Sequence, residues 1–267
     1  CRHWEAGPIH THVLSYNPEV CWADLQTSDV AAAKEFYAEI FGWRYEDLPT
    51  PDGRSYAKAF LGEELVTVIA PQNPHQLQAA AAGQWNVYFA ADDASGLAAE
   101  LPHAGGTLEF GPEAVADTGV MVFFAPPGGG TTGVWQAGTH FGAARSEEPG
   151  ALAWVELLTP EPQAAVGLFQ QLFRHEVTEY PQDDGGTYTT LMVGGAEVAG
   201  IATVPAAERN LEPGWQVYFG VSSVAKAVAA ARAAGGVVLV EPEEDDEAGA
   251  IATLRDPQGG VFSVLEV

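Results

Sequence analysis

The chain repeats itself, and this repeat limits what it can fold into more than any single motif does. Residues 22–43 align with residues 154–175 at a constant offset, so that Trp22 meets Trp154, Asp24 meets Glu156 and Phe41 meets Phe173. Farther on, Gln84-Trp85-Asn86-Val87-Tyr88-Phe89 matches Gly214-Trp215-Gln216-Val217-Tyr218-Phe219. Ala104-Gly105-Gly106 matches Ala234-Gly235-Gly236, and Pro127-Gly128-Gly129 matches Pro257-Gln258-Gly259. Self-similarity at this distance means two copies of one structural unit. They meet in a polar connector within residues 137–150, which carries Arg145-Ser146-Glu147-Glu148-Pro149-Gly150. The expected division of the 267 residues is an N-terminal tail at 1–19, a first domain at 20–140, a linker at 141–150 and a second domain at 151–267.

Each copy reads strand, helix, several strands, and then the same again. Residues 21–26 alternate as a strand does and run into Thr27-Ser28-Asp29, a favourable helix start. Ala33, Phe36, Tyr37, Ile40 and Phe41 then recur at helical spacing, with Gly42 placed to end the helix. The second copy has Thr159, Pro160 and Pro162 at the start, followed by Ala165, Leu168, Phe169, Leu172 and Phe173. Strand-like runs follow at 55–60 and 64–69, or 187–193 and 197–203. A further unit begins at Trp85 or Trp215 and continues into an Ala-rich helix at about 94–104 or 223–234, closed by Gly-Gly. Two strands complete it, and Pro102 shortens the first of these helices.

Four β-α-β-β-β units in two pairs resemble the vicinal oxygen chelate superfamily, which includes glyoxalase I, extradiol dioxygenases, and fosfomycin- and bleomycin-resistance proteins. The resemblance covers about residues 20–267. Its most specific marks are Thr27-Ser28-Asp29-Val30, Glu35-Phe36-Tyr37, Phe41-Gly42-Trp43 and the turn Asp256-Pro257-x-Gly259. The layout is similar to that of tandem two-domain glyoxalase-like proteins of actinobacteria. The resemblance implies an α+β fold of two tandem glyoxalase-like domains, each a pair of βαβββ units forming a curved, bowl-like mixed sheet. It does not by itself imply one activity, since the fold hosts many.

In enzymes of this superfamily His, Gln or Glu side chains on inward strand positions hold a divalent metal. Carried over position by position, the first ligand falls on Trp22 and Trp154, and the next on Asn86 and Gln216. The last-strand Glu falls on Gly133 and Ser263, and the remaining ligand near Thr67 or Gly200. A hard or borderline divalent ion needs carboxylate and imidazole donors in a closed set, which these residues do not supply. No metal or other cofactor is therefore expected. His10 and His12 precede the fold, and His75, His103, His140 and His175 are scattered over loops, connector and a helix end. Cys1 and Cys21 make no disulfide framework. There is no Gly-x-Ser-x-Gly elbow, and Gly128-Gly129-Gly130-Thr131-Thr132 lacks the lysine of a phosphate loop.

Strand alternation sorts the remaining candidates by face. Ala23 and Leu25, or Val155 and Leu157, suit the helix-covered side, as do Trp85, Val87 and Phe89. The concave side of the first bowl then receives Trp22, Asp24, Asn86, Tyr88 and Trp135. That of the second receives Trp154, Glu156, Gln216, Tyr218 and Ser263, with Tyr188 or Met192 adjoining. Each bowl combines aromatic plates with one carboxylate, an environment for a flat, apolar ligand carrying a cationic amine. Aromatic residues in a sheet also serve as plain core or interface, and both readings stay open at this point.

With 11 Lys and Arg against 36 Asp and Glu, the net charge of −25 disfavours nucleic acid and anionic membrane surfaces. Six of the seven residues in 241–247 are acidic, and Asp92-Asp93, Glu147-Glu148 and Asp183-Asp184 lie in loop-like segments, so most of this charge is solvated surface. The N-terminal residues lack a signal pattern, and a cytoplasmic protein is expected. The functional expectation is a metal-free binder of a polycyclic, anthracycline-like, amine-bearing natural product. It would serve self-resistance by sequestration or assist a biosynthetic oxygenase, as a monomer or homodimer. The alternative is a glyoxalase-like lyase or isomerase with Asp24 or Glu156 as general base, which needs a carboxylate pKa raised toward the working pH.

Overall fold

In the first half β1 (Val20–Thr27) leads through α1 (Val30–Phe41) to β2 (Arg44–Pro49), β3 (Ser55–Leu61) and β4 (Glu64–Pro71). A short helix, α2 (Pro74–Gln78), links this unit to β5 (Gln84–Ala90), α3 (Ala94–Glu100), β6 (Thr107–Val115), β7 (Gly119–Ala125) and β8 (Thr132–Ala137). The second half repeats the order with β9 (Leu152–Leu158), α4 (Pro162–Phe173), β10 (Glu176–Pro181), β11 (Thr187–Val193) and β12 (Ala196–Ala202). Its other unit is β13 (Gly214–Val221), α5 (Val224–Ala233), β14 (Val237–Asp245), β15 (Gly249–Arg255) and β16 (Val261–Glu266). The computed structural model describes residues 20–49, 53–142, 148–182, 186–203, 213–245 and 249–267. The expected tail with His10 and His12, half of the expected linker and the Asp183-Asp184 pair lie outside the described residues.

Local chemistry explains the helix limits. Asp29 Oδ1 accepts from Ala32 N at 3.0 Å to cap α1. Gly42 ends that helix with φ 70°, a left-handed conformation that glycine adopts without penalty. Pro102 has the predicted effect: α3 stops at Glu100 and continues as a 3₁₀ turn over Leu101–Ala104. Helix α2 and the edge strands β2 and β10 were not individually legible, being short, and three strands rather than the expected two follow α3 and α5.

Each half forms one eight-stranded mixed sheet, in the orders β2-β3-β4-β1-β5-β8-β7-β6 and β10-β11-β12-β9-β13-β16-β15-β14. The two units of a half join along antiparallel β1 and β5, where Asp24 faces Asn86 and Trp22 faces Tyr88. The same register recurs between β9 and β13, with Glu156 facing Gln216 and Trp154 facing Tyr218. Paired residues share a face, so alternation sorts concave from helix-covered positions as the sequence implied.

The halves share one core, because each lends its first helix to the other. Phe36 and Phe41 of α1 pack on Phe262 and Phe219 at ring separations of 6.1 and 5.1 Å. Phe169 of α4 packs on Phe89 at 5.2 Å. At the first contact Tyr37 OH donates to Asp256 Oδ2 at 2.8 Å and accepts from Trp85 Nε1 at 3.1 Å. Asp256 Oδ1 also accepts from the backbone N–H groups of Gln258 and Gly260, both at 2.8 Å, which folds the Asp-Pro-x-Gly turn. That motif is thus a polar anchor between the halves.

Candidate functional site

The convex faces of the sheets are consumed by this shared core, leaving the two concave faces for function. In the first bowl Asp24 lies at the floor. Its Oδ1 accepts from Asn86 Nδ2 at 2.8 Å and its Oδ2 from Tyr88 OH at 2.7 Å. One side of Asp24 meets solvent, yet its carboxyl group sits in a dense protein shell. Burial pushes its pKa up to about 6, against the two hydrogen bonds that favour the charged form. Above it Trp22, Tyr88, Phe123 and Trp135 close into an apolar cluster apart from the main core, with exposures of 7%, 3%, 9% and 9%. Cys21, Leu65, Val68 and Met121 pack against this cluster.

The chain after β8 seals the rim. Trp135 Nε1 donates to the His140 carbonyl at 2.8 Å, and the His140 ring meets Trp22 edge-on at 4.7 Å. Partial burial and the nearby Lys58 lower the His140 pKa. Lys58 shares the concave face, since both it and Asp24 pair with Val68. Tyr88 lies across Gly133: a Cβ at 133 would come within 2.3 Å of its ring. The predicted residues of this bowl are therefore together, but they fill it themselves. Phe123, Met121 and His140 complete the filling and were missed. The alternation Met121-x-Phe123 was the available signal for the first two.

The second bowl keeps the register, and its rings are partly exposed rather than buried. Glu156 Oε2 accepts from Tyr218 OH at 2.7 Å, and Tyr188 OH accepts from Trp154 Nε1 at 3.0 Å. Tyr188 lies over Gly200, where a Cβ would fall 2.1 Å from its hydroxyl. Trp154, Glu156, Tyr188, Met192 and Tyr218 are all partly exposed. Ser263 is buried and pairs with Thr253 through their hydroxyls at 2.9 Å. Gln216 is only 6% exposed, and its Nε2 finds no hydrogen-bond partner among the described residues. Glu197, also missed, accepts from Tyr180 OH at 2.7 Å and from Thr190 Oγ1 at 3.0 Å at the side of this bowl.

The side chains at the expected metal positions do not fit a metal. Trp22 and Trp154 have no lone pair to offer. Asn86 is committed to Asp24, Gly133 and Gly200 lie beneath tyrosines, and Thr67 donates to the Ala23 carbonyl at 2.8 Å. Among the described residues, no three His, Cys, Asp or Glu side chains converge to form a ligand set.

Two clefts lie elsewhere, along the seam between the halves. One of about 660 Å³ separates α3 from the end of α4 and is lined by Asp92, Asp93, Glu100 and Arg174. The other, about 370 Å³, lies between α1 and α5. Among the described residues neither is lined by an unpartnered buried polar atom, whereas the second bowl is, so the bowl is the stronger candidate. Among the described residues no helix is long and apolar enough to cross a membrane.

Comparison with known proteins agrees with this architecture. Residues 14–132 match the family model described as Glyoxalase/Bleomycin resistance protein/Dioxygenase superfamily, and residues 154–265 match a Glyoxalase-like domain. The chain is 38% identical over 249 residues to CFP32 of Mycobacterium tuberculosis, provisionally named a glyoxylase, covering 92% of this chain and 93% of that one. It is 32% identical over 259 residues to the anthracycline biosynthesis protein DnrV of Streptomyces peucetius, covering 92% of both. Among solved structures, the Mn(II)-bound glyoxalase of Novosphingobium aromaticivorans aligns with a TM-score of 0.64 at 18% identity, over 95% of this chain and 83% of that one. The 2,3-dioxygenase LapB of Pseudomonas sp. KL28 aligns at 0.63 and 15%, over 95% and 94%. These structural likenesses concern the fold.

Proposed function

The chain belongs to the glyoxalase/bleomycin resistance protein/dioxygenase superfamily, and from that premise we propose that it is a small-molecule binding protein for a flat, aromatic ligand bearing a cationic amine. One observation carries the reading: the Glu156 carboxylate is set among Trp154, Tyr188 and Tyr218 on a partly exposed concave face. Rings of this kind stack on a planar ligand, and the carboxylate pairs with its charge in a site of reduced dielectric. A relative named for anthracycline biosynthesis supports a polycyclic natural product as the ligand class. The role is self-resistance by sequestration, or carrying substrate to or product from a biosynthetic oxygenase. Catalysis is absent or weak in this reading. The alternative, a lyase or isomerase, has the raised pKa of Asp24 in its favour and the engagement of both its oxygens against it.

Titration with an aminoalkyl-anthraquinone, followed by tryptophan emission, tests the proposal. Saturable quenching is expected, weakened about tenfold by Glu156→Gln, as for loss of one charge-assisted contact, and modestly by salt. Failure of this and other cationic aromatics to quench would sink the idea.

A further inference from the structure

The second bowl contains a buried donor with nothing to donate to. Gln216 lies on β13 directly opposite Glu156, on the same concave face as Tyr218. Gln216 is 6% exposed, and its Nε2 has no acceptor among the described residues. The first bowl shows what the equivalent amide does when it is satisfied internally: Asn86 Nδ2 donates to Asp24 at 2.8 Å. In the second bowl both partners are one methylene longer: Glu156 keeps the tyrosine bond, from Tyr218, but not the amide bond, and the Gln216 N–H₂ is left over among the described residues. A buried donor without a partner is a standing penalty in the empty protein, and it is relieved by any ligand that presents an acceptor there.

We infer that the second bowl alone is the binding site, and that Gln216 is a specificity-determining residue that reads a carbonyl or quinone-type oxygen on the ligand while Glu156 pairs with its amine. The inference rests on the binding function proposed above and adds two features to it. The first is location. The rings facing outward in the first bowl are buried against one another and capped by His140, whereas those on the corresponding face of the second are partly exposed. The second is chemistry. An aromatic cation without an acceptor leaves Gln216 as it was, so stacking and charge alone bind it; an acceptor-bearing ligand gains the additional hydrogen bond. Sites that contain a buried hydrogen-bonding group discriminate against analogues that lack its complement.

Two probes separate these effects: an aminoalkyl-anthraquinone, and the aminoalkyl-anthracene of the same length, which has the ring and the amine but no carbonyl. Dissociation constants are measured by emission quenching for the natural chain, Gln216→Leu and Glu156→Gln. The natural chain is expected to prefer the anthraquinone by about tenfold, the scale of one net hydrogen bond with relief of an unpaired donor. Gln216→Leu is expected to abolish that preference while leaving the anthracene constant within about twofold, and Glu156→Gln to weaken both probes alike. The denaturation midpoint of Gln216→Leu is expected to equal or exceed that of the natural chain, because the orphaned donor is gone. A preference that survives in Gln216→Leu, or one absent from the natural chain, overturns the inference while the binding function stands. If neither probe binds the natural chain, the binding function itself fails.

Discussion

The two bowls share a register and differ in what fills it. On the floor, Asp24 and Asn86 close on each other in the first, whereas Glu156 and Gln216 do not in the second. On the walls, Phe123 pairs with Gly133 and Met121 with Trp135, while the matching positions of the second sheet pair Thr253 with Ser263 and Ile251 with Leu265. Two large rings are thereby replaced by a hydroxyl and an aliphatic chain. Val68 against the cluster becomes Gly200, which lets Tyr188 lie down across the sheet. The first bowl is thus a second small core, while the second leaves its rings partly exposed. Aromatic residues at equivalent positions have different surroundings in them: buried against one another in the first, partly exposed in the second.

Substitutions can break that contrast in order of expected size. Trp135→Ala removes a buried plate and its bond to His140, and is expected to lower stability by about 3–5 kcal/mol in chemical denaturation. Trp154→Ala, at a partly exposed position, is expected to change stability by about 1 kcal/mol or less while abolishing most ligand-induced quenching. Equal losses in the two variants would erase the distinction between core and site.

Next in size is a pH effect confined to the first bowl. The Asp24 pKa is raised from 3.8 to about 6, so the folded chain holds that proton more tightly than the unfolded one. The resulting stability is present below the unfolded pKa and is lost as pH rises to about 6, by roughly 3 kcal/mol. Asp24→Asn is expected to flatten that part of the stability profile, and an unchanged slope would contradict the assignment.

Glycine substitutions give the finest comparison. Gly133→Ala forces a methyl into the buried Tyr88 ring and is expected to cost about 1–3 kcal/mol. Gly200→Ala meets the hydroxyl end of the partly exposed Tyr188, which can swing away, so a cost below about 1 kcal/mol is expected. Its main consequence falls on ligand affinity, readable by the same quenching titration.

Much of this was legible in the sequence. The repeat and the strand alternation put Trp22, Asp24, Asn86 and Tyr88 on one face, and Trp154, Glu156, Gln216 and Tyr218 on the other's equivalent. The difference in occupancy was not legible from those eight residues, because it depends on the third and fourth strands of each half's second unit and on a connector that folds back over Trp22. Phe123 and Thr253 carry the difference, yet an alternating apolar strand reads the same whether its inward rings meet one another or a ligand. The anchor between the halves was also hidden. Tyr37 looks like one more apolar helix residue until its partner Asp256, 219 positions away, is brought to it.

Calorimetric titration of the aminoalkyl-anthraquinone into the natural chain, Asp24→Asn and Glu156→Gln tests the asymmetry most directly. A single site per chain is expected, with an unchanged dissociation constant in Asp24→Asn and about tenfold weaker binding in Glu156→Gln. Two equivalent sites per chain, or a loss of affinity that follows Asp24 rather than Glu156, would contradict the account.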